Sequence, residues 1–122
     1  KAAVEALDGP QESVEEMRQA FDERRRYMVE RLNAIEGIEC TLPQGAFYAY
    51  PEVMAYYGRR AGDCEIGDSV ALCEYLLEEG KVACVPGAGF GTREHIRLSY
   101  ATSLELIAAA LDRVAAALGA LE

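Results

Sequence analysis

Three stretches of this chain repeat apolar residues at steps of three and four, and short strand-like runs lie in pairs between them. That pattern calls for helices that each bury one stripe, separated by strand pairs, and so excludes an all-α or all-β fold. In the first stretch Val14, Met17, Phe21, Met28, Leu32 and Ile35 line one side of a long helix ending near Gly37. Ser13 and Glu16 stand at capping-box spacing after the Gly9-Pro10 breaker and predict where that helix starts. Val70, Cys73, Leu76 and Leu77 form the second stripe, with Asp68 or Ser69 as its cap and Gly80 as its stop. The third is Leu104, Ile107, Leu111, Val114, Leu118 and Leu121, opened by a capping box from Thr102 to Glu105. It lasts less than three heptads, so it reads as a core-facing stripe and not a coiled-coil seam.

Between the stripes, Ile38 to Leu42 and Ala46 to Tyr50 are strand candidates closed by Pro43 and Pro51, and their short link predicts a hairpin. Residues 52–67 have no period and read as a surface loop. Lys81 to Val85 is a third strand candidate, leading into the glycine-rich turn from Pro86 to Gly91. His95 to Tyr100 alternates, with Ile96, Leu98 and Tyr100 on one face and His95, Arg97 and Ser99 on the other. The order helix, two strands, helix, two strands, helix (α-β-β-α-β-β-α) predicts an α+β fold. It is a two-layer α/β sandwich in which helices cover a small, largely antiparallel sheet. No internal repeat divides the 122 residues, which suit a single domain or a piece of something larger. The opening Lys1 to Leu7 reads as helix interior, so the chain is expected to be cut from a longer one.

Composition narrows the function. Twelve basic residues against 21 acidic ones leave a net charge of −9, which repels nucleic-acid backbones and anionic membranes. No run of about eighteen apolar residues spans a bilayer, and no signal-peptide pattern is present. The triplet Arg24, Arg25, Arg26 alternates with Asp22, Glu23 and Glu30, as on a solvated, salt-bridged helix face. Cys40, Cys64, Cys73 and Cys84 show no C-x-x-C spacing, and His95 is the sole histidine, so no metal site is expected. The cysteines read as reduced structural thiols, and the protein is expected to be cytoplasmic.

Few residues are placed for chemistry. The turn from Pro86 to Gly91 lacks the G-x-G-x-x-G spacing and leads into a strand, so it reads as a tight turn and not a dinucleotide site. His95 has no nucleophile or partner ligand placed beside it by sequence. Tyr56, Tyr57, Arg59 and Arg60 fit either a groove or a surface loop. Arg97 stands apart, in the middle of an apolar strand beside the glycine-rich turn. A guanidinium stays charged, and its planar fork matches a carboxylate with two parallel hydrogen bonds; by position alone that carboxylate is a surface acid of the chain itself or a ligand's.

The segments Pro43 to Tyr48, Val82 to Gly91 and His95 to Ser103, in that order and at those spacings, resemble the C-terminal part of class I aminotransferases. These are pyridoxal-phosphate enzymes of fold type I, and the aspartate and aromatic branch is the most similar. Residues 1–7 and the Met17, Phe21, Arg24, Arg25 spacing resemble the stretch leading into that family's small domain. The resemblance implies that 1–122 is the C-terminal small domain, with residues 1–9 the tail of a helix from a large domain. It also implies that Arg97 is substrate-binding and grips the α-carboxylate of an amino acid such as aspartate. The family's chemistry needs a Schiff-base lysine and an aspartate on the pyridine nitrogen. Lys1 and Lys81 have neither setting, so no catalytic, cofactor-binding or metal-binding residue is expected here. Pyridoxal 5'-phosphate is implied for the full-length protein, a homodimer on this resemblance, while the isolated chain is expected to bind none and be inactive. The competing reading is a free-standing α+β module that binds an amino acid without chemistry; a third is a pure dimerisation domain.

Overall fold

The computed structural model describes all residues, 1–122, and the architecture is the expected α+β one. A short helix α1 (Ala2–Asp8) buries none of its residues and is followed by the long α2 (Glu12–Asn33). Then come β1 (Tyr48–Ala49), the two-residue strands β2 (Arg60–Ala61) and β3 (Cys64–Glu65), and α3 (Ser69–Glu78). The chain closes with β4 (Val85–Pro86), β5 (Ile96–Ser99) and α4 (Leu104–Gly119). The main sheet has the order β1-β5-β4 and is antiparallel throughout.

β5 is the central strand, paired with β1 on one side and β4 on the other, and its alternation suits a sheet with one covered face. Ile96, Leu98 and Tyr100 are buried under the helices, whereas His95, Arg97 and Ser99 are not. They join one core with Met28, Val29 and Leu32 from α2, Leu72 and Leu76 from α3, and Ile107, Leu111, Val114 and Leu118 from α4. The third stripe is therefore buried almost as its spacing requires. The first is buried only in its C-terminal half, since Val14 and Met17 remain 50% and 54% exposed. The arginine triplet lies on a salt-bridged face, with Arg25 and Arg26 both on Asp22.

Several boundaries differ from the sequence pattern. Gln11, not Ser13, flanks the start of α2; its amide donates to the Ala6 and Gly9 carbonyls, so the link to α1 is tied back and Ser13 falls inside the helix. Ser103, not Thr102, caps α4 by accepting from the Leu106 amide at 3.3 Å. Asp68 caps α3 as expected, its Oδ1 accepting from the Val70 and Ala71 amides at 2.9 Å each. Residues 38–42 form no continuous strand; a single bridge, Glu39 to Glu52, is all that remains of the hairpin. The segment expected to be aperiodic contains a 3-10 turn at Met54–Tyr56 and the β2–β3 hairpin. The third strand begins only at Val85. Lys81 takes a left-handed φ of 54°, and the Val82 amide bonds the Leu76 carbonyl, so the chain is still closing α3.

Candidate functional site

Arg97 sits in the middle of β5 with a strand on either side. Val85 of β4 is its direct partner. On the other side the pairs Tyr48–Ser99 and Ala49–Leu98, continued by the Glu52–His95 bridge, put Tyr50 opposite it. Period-two geometry sends Arg97, Tyr48 and Tyr50 to the face away from the helices. This face carries polar and aromatic groups because no helix covers it.

The glycine-rich turn comes over the same face. Gly87–Phe90 is a 3-10 turn, and Gly91 follows at φ 84°, in the left-handed region that glycine adopts without strain. The turn is pinned to the strand: the Gly87 amide donates to the His95 carbonyl at 2.8 Å, and the Thr92 amide donates to the Gly87 carbonyl at 3.2 Å. Phe90 is thereby brought to Arg97, with the guanidinium carbon 4.3 Å from its ring centroid and 4.3 Å from that of Tyr48. The ion pairs of the chain lie elsewhere, and no carboxylate stands within salt-bridge distance of Arg97. A half-buried cation without an internal counter-ion, its donors on an open sheet face, is suited to an external carboxylate.

Next to it, Tyr50 stacks on His95 with centroids 4.8 Å apart and planes 7° from parallel, and its hydroxyl shares a hydrogen bond with Thr92. His95 Nδ1 is buried and has no partner. The imidazole lines a shallow polar cavity with Cys40, Glu39 and Glu52, groups that the sequence does not place beside it.

The loop residues flagged as groove candidates do not join Arg97. The Tyr56 ring is buried with its hydroxyl on the Glu36 carbonyl, Arg59 lies over that ring, and Arg60 pairs with Glu65 at 3.2 Å. All four cysteines are free thiols. Cys73 and Cys84, eleven residues apart, have their sulfurs at 3.4 Å. The Cys84 thiol beside it, together with burial, pushes the Cys73 thiol up, whereas hydrogen bonding with Cys73 lowers Cys84. Burial also raises Cys40. A surface cavity of about 510 Å³ lies between β3 and α3 with Glu65, Glu74 and Glu78 on its wall, and does not include Arg97.

Sequence reasoning singled out Arg97 but assigned no side-chain role to Tyr48 or Phe90. Tyr48 lay in a strand candidate whose faces the sequence left unassigned, and its face is set by the pairing with Ser99. Nothing local in the sequence signals Phe90, since its position depends on how the turn folds back.

A family model described as aminotransferase class I and II matches residues 1–114. An aspartate aminotransferase from Geobacillus stearothermophilus is 48% identical over 116 residues, 93% of this chain and 28% of the relative. An aspartate/prephenate aminotransferase from Cereibacter sphaeroides is 45% identical over 116 residues, 94% of this chain and 29% of its own length. The crystal structure of the aspartate aminotransferase from Rhizobium meliloti superposes with a TM-score of 0.94 at 41% identity, covering 99% of this chain and 30% of that one. An alanine aminotransferase from Pyrococcus furiosus gives 0.83 at 32% identity, over 97% of this chain and 28% of that one. The chain thus spans less than a third of the length of the relatives it matches. With its α+β architecture and its strand-borne arginine, the chain belongs to the class I and II aminotransferase family.

Proposed function

We propose that this chain is the small, C-terminal domain of a pyridoxal-phosphate-dependent aminotransferase that moves an amino group between aspartate, or a similar amino acid, and a 2-oxo acid. Arg97 binds the substrate's α-carboxylate. The observation that carries this reading is the guanidinium itself, held on the open face of the sheet with no carboxylate of its own. The aspartate aminotransferases it resembles support the substrate class. On the same reading α1, which buries nothing, is the tail of a helix from a preceding large domain, and the whole protein is a cytoplasmic homodimer.

The residues of this chain do not themselves fit the cofactor. Lys81 directs its ammonium to the Glu78 carbonyl at the end of α3, and Lys1 lies exposed ahead of α1. Neither lysine is presented as a Schiff-base nucleophile beside Arg97. No step on the cofactor is therefore assigned to this chain, and alone it is inactive. Its contribution is positional. Two parallel hydrogen bonds from Arg97 fix the carboxylate plane and the position of Cα in it, one of the two attachments that orient the bonds at Cα, which lowers the entropic part of the barrier. An arginine on a mobile domain also couples carboxylate binding to closure over the substrate.

The test uses the full-length gene product. Its visible absorbance is recorded before and after L-aspartate and again after a 2-oxo acid; a chromophore that bleaches and returns is expected. Removing a charged hydrogen-bond donor costs about 1.5–3 kcal/mol. Arg97→Ala should therefore raise KM, lower kcat and reduce kcat/KM by roughly 10- to 150-fold. Unchanged kinetics on a dicarboxylic substrate would remove Arg97 from the site, and the absence of a chromophore would favour the non-catalytic binding module.

A further inference from the structure

We infer that Tyr48 and Phe90 are positioning residues for Arg97: two rings that hold its guanidinium from different sides and leave its planar edge as the free donor surface. This rests on the carboxylate-binding role proposed for Arg97. Both ring centroids lie 4.3 Å from the guanidinium carbon. The two rings do not pack on each other. Tyr48 lies against Phe47 at 4.4 Å and Phe90 against Tyr50 at 6.4 Å, so each reaches Arg97 from its own direction.

The tyrosines of the chain supply a second observation. Of seven, the other six use their hydroxyls: Tyr27 accepts from Arg31, and Tyr50, Tyr56, Tyr57, Tyr75 and Tyr100 bond Thr92 or backbone carbonyls. Tyr48 alone has no hydroxyl partner, so its working part is the ring. Phe90 is 50% exposed, so its contact with Arg97 is made at the surface of this chain and not inside the core.

The physical effect is preorganisation. A free arginine side chain loses rotamer entropy on every binding event. The electron-rich faces of the two rings hold the guanidinium while its counter-ion is absent, so less freedom is lost when a carboxylate arrives. They also favour in-plane donation, which a lysine at position 97 cannot reproduce.

The experiment uses the full-length gene product and measures three quantities for each variant. These are the Kd of succinate by titration calorimetry, KM and kcat with L-aspartate, and the melting temperature. Tyr48→Leu and Phe90→Leu should each weaken succinate and raise KM by roughly fivefold to thirtyfold, as expected for a partly desolvated cation–π contact. KM should change more than kcat, and Tyr48→Phe should stay within about twofold of wild type because the ring remains. Arg97→Lys separates the two ideas. If it weakens succinate while both leucine variants bind as wild type, the clamp is wrong and the carboxylate role stands. If Arg97→Lys binds normally, both fall. Should Tyr48→Leu lose its fold, Phe90→Leu decides alone, since its half-exposed ring can be shortened without opening the core.

Discussion

The three glycines of the turn over Arg97 should respond very differently to the same added methyl group. A Cβ on Gly87 would lie 2.4 Å from the His95 carbonyl oxygen, 2.7 Å from that of Thr92 and 2.8 Å from Thr92 Oγ1. The two closest are backbone atoms of the central strand and the turn itself, which cannot rotate away. The turn would have to retreat by roughly 1 Å to restore ordinary contact, an overpacking cost of about 1–3 kcal/mol. The Gly87 to His95 hydrogen bond would be stretched in the process, adding about 0.5–1.5 kcal/mol. Gly87→Ala should therefore lose about 2–4 kcal/mol, or roughly 8–15 °C in melting temperature for a chain of this size. A Cβ on Gly89 meets nothing within 4 Å, so Gly89→Ala should be neutral to within about 0.5 kcal/mol. Gly91 has open space but a φ of +84°, so its alanine variant should lose about 1–2 kcal/mol through backbone strain alone. Urea and thermal unfolding of the 122-residue chain, followed by circular dichroism, would rank the three. Equal stability of the Gly87 and Gly89 variants would refute the argument that the turn is seated against β5. In the full-length protein, Gly87→Ala should also raise KM, because the displaced turn carries Phe90 away from Arg97.

Three further outcomes can be checked directly. Asp68 satisfies two amides at the start of the ten-residue α3, so Asp68→Ala should destabilise the fold by about 1–2 kcal/mol while Asp68→Ser recovers most of it, read from urea midpoints. Thiol alkylation followed by mass spectrometry should label exposed Cys64 first, whereas Cys40 and Cys73, buried and with thiols pushed up, should react only on unfolding. Half-buried Cys84, whose thiolate is favoured by hydrogen bonding with Cys73, should begin to react at lower pH in wild type than in Cys73→Ala; an unchanged profile would show that the two sulfurs do not interact.

Patterns with a period were legible because burial acts on every turn or every second residue. The stripe from Leu104 to Leu121 and the alternation from Ile96 to Tyr100 could therefore be read directly, and both are buried apart from half-buried Leu104. Boundaries were less legible because neighbouring residues offered equivalent chemistry. Thr102 and Ser103 both carry a capping hydroxyl, and only the phase of α4 against the sheet selects Ser103. At the end of α3 the glycine misleads, since Gly80 approaches the Leu76 carbonyl closely while Lys81 takes the left-handed turn that glycine usually supplies. The expected third strand was shortened for this reason.

The fold class, most of the helix faces and the standing of Arg97 as a candidate follow from the amino-acid sequence by itself, because each depends on chemistry repeated or flanked locally. A lone arginine in an apolar strand is conspicuous without any contact being known. What only the tertiary structure decides is the company Arg97 keeps. Tyr48 reaches it through antiparallel register, and Phe90 through a turn whose path depends on one glycine fitting against a neighbouring strand. The Cys73–Cys84 pair is of the same kind, joining a helix to the segment that leads into β4. Such meetings are set by closure of the whole chain around one core, and no short stretch of sequence contains that information.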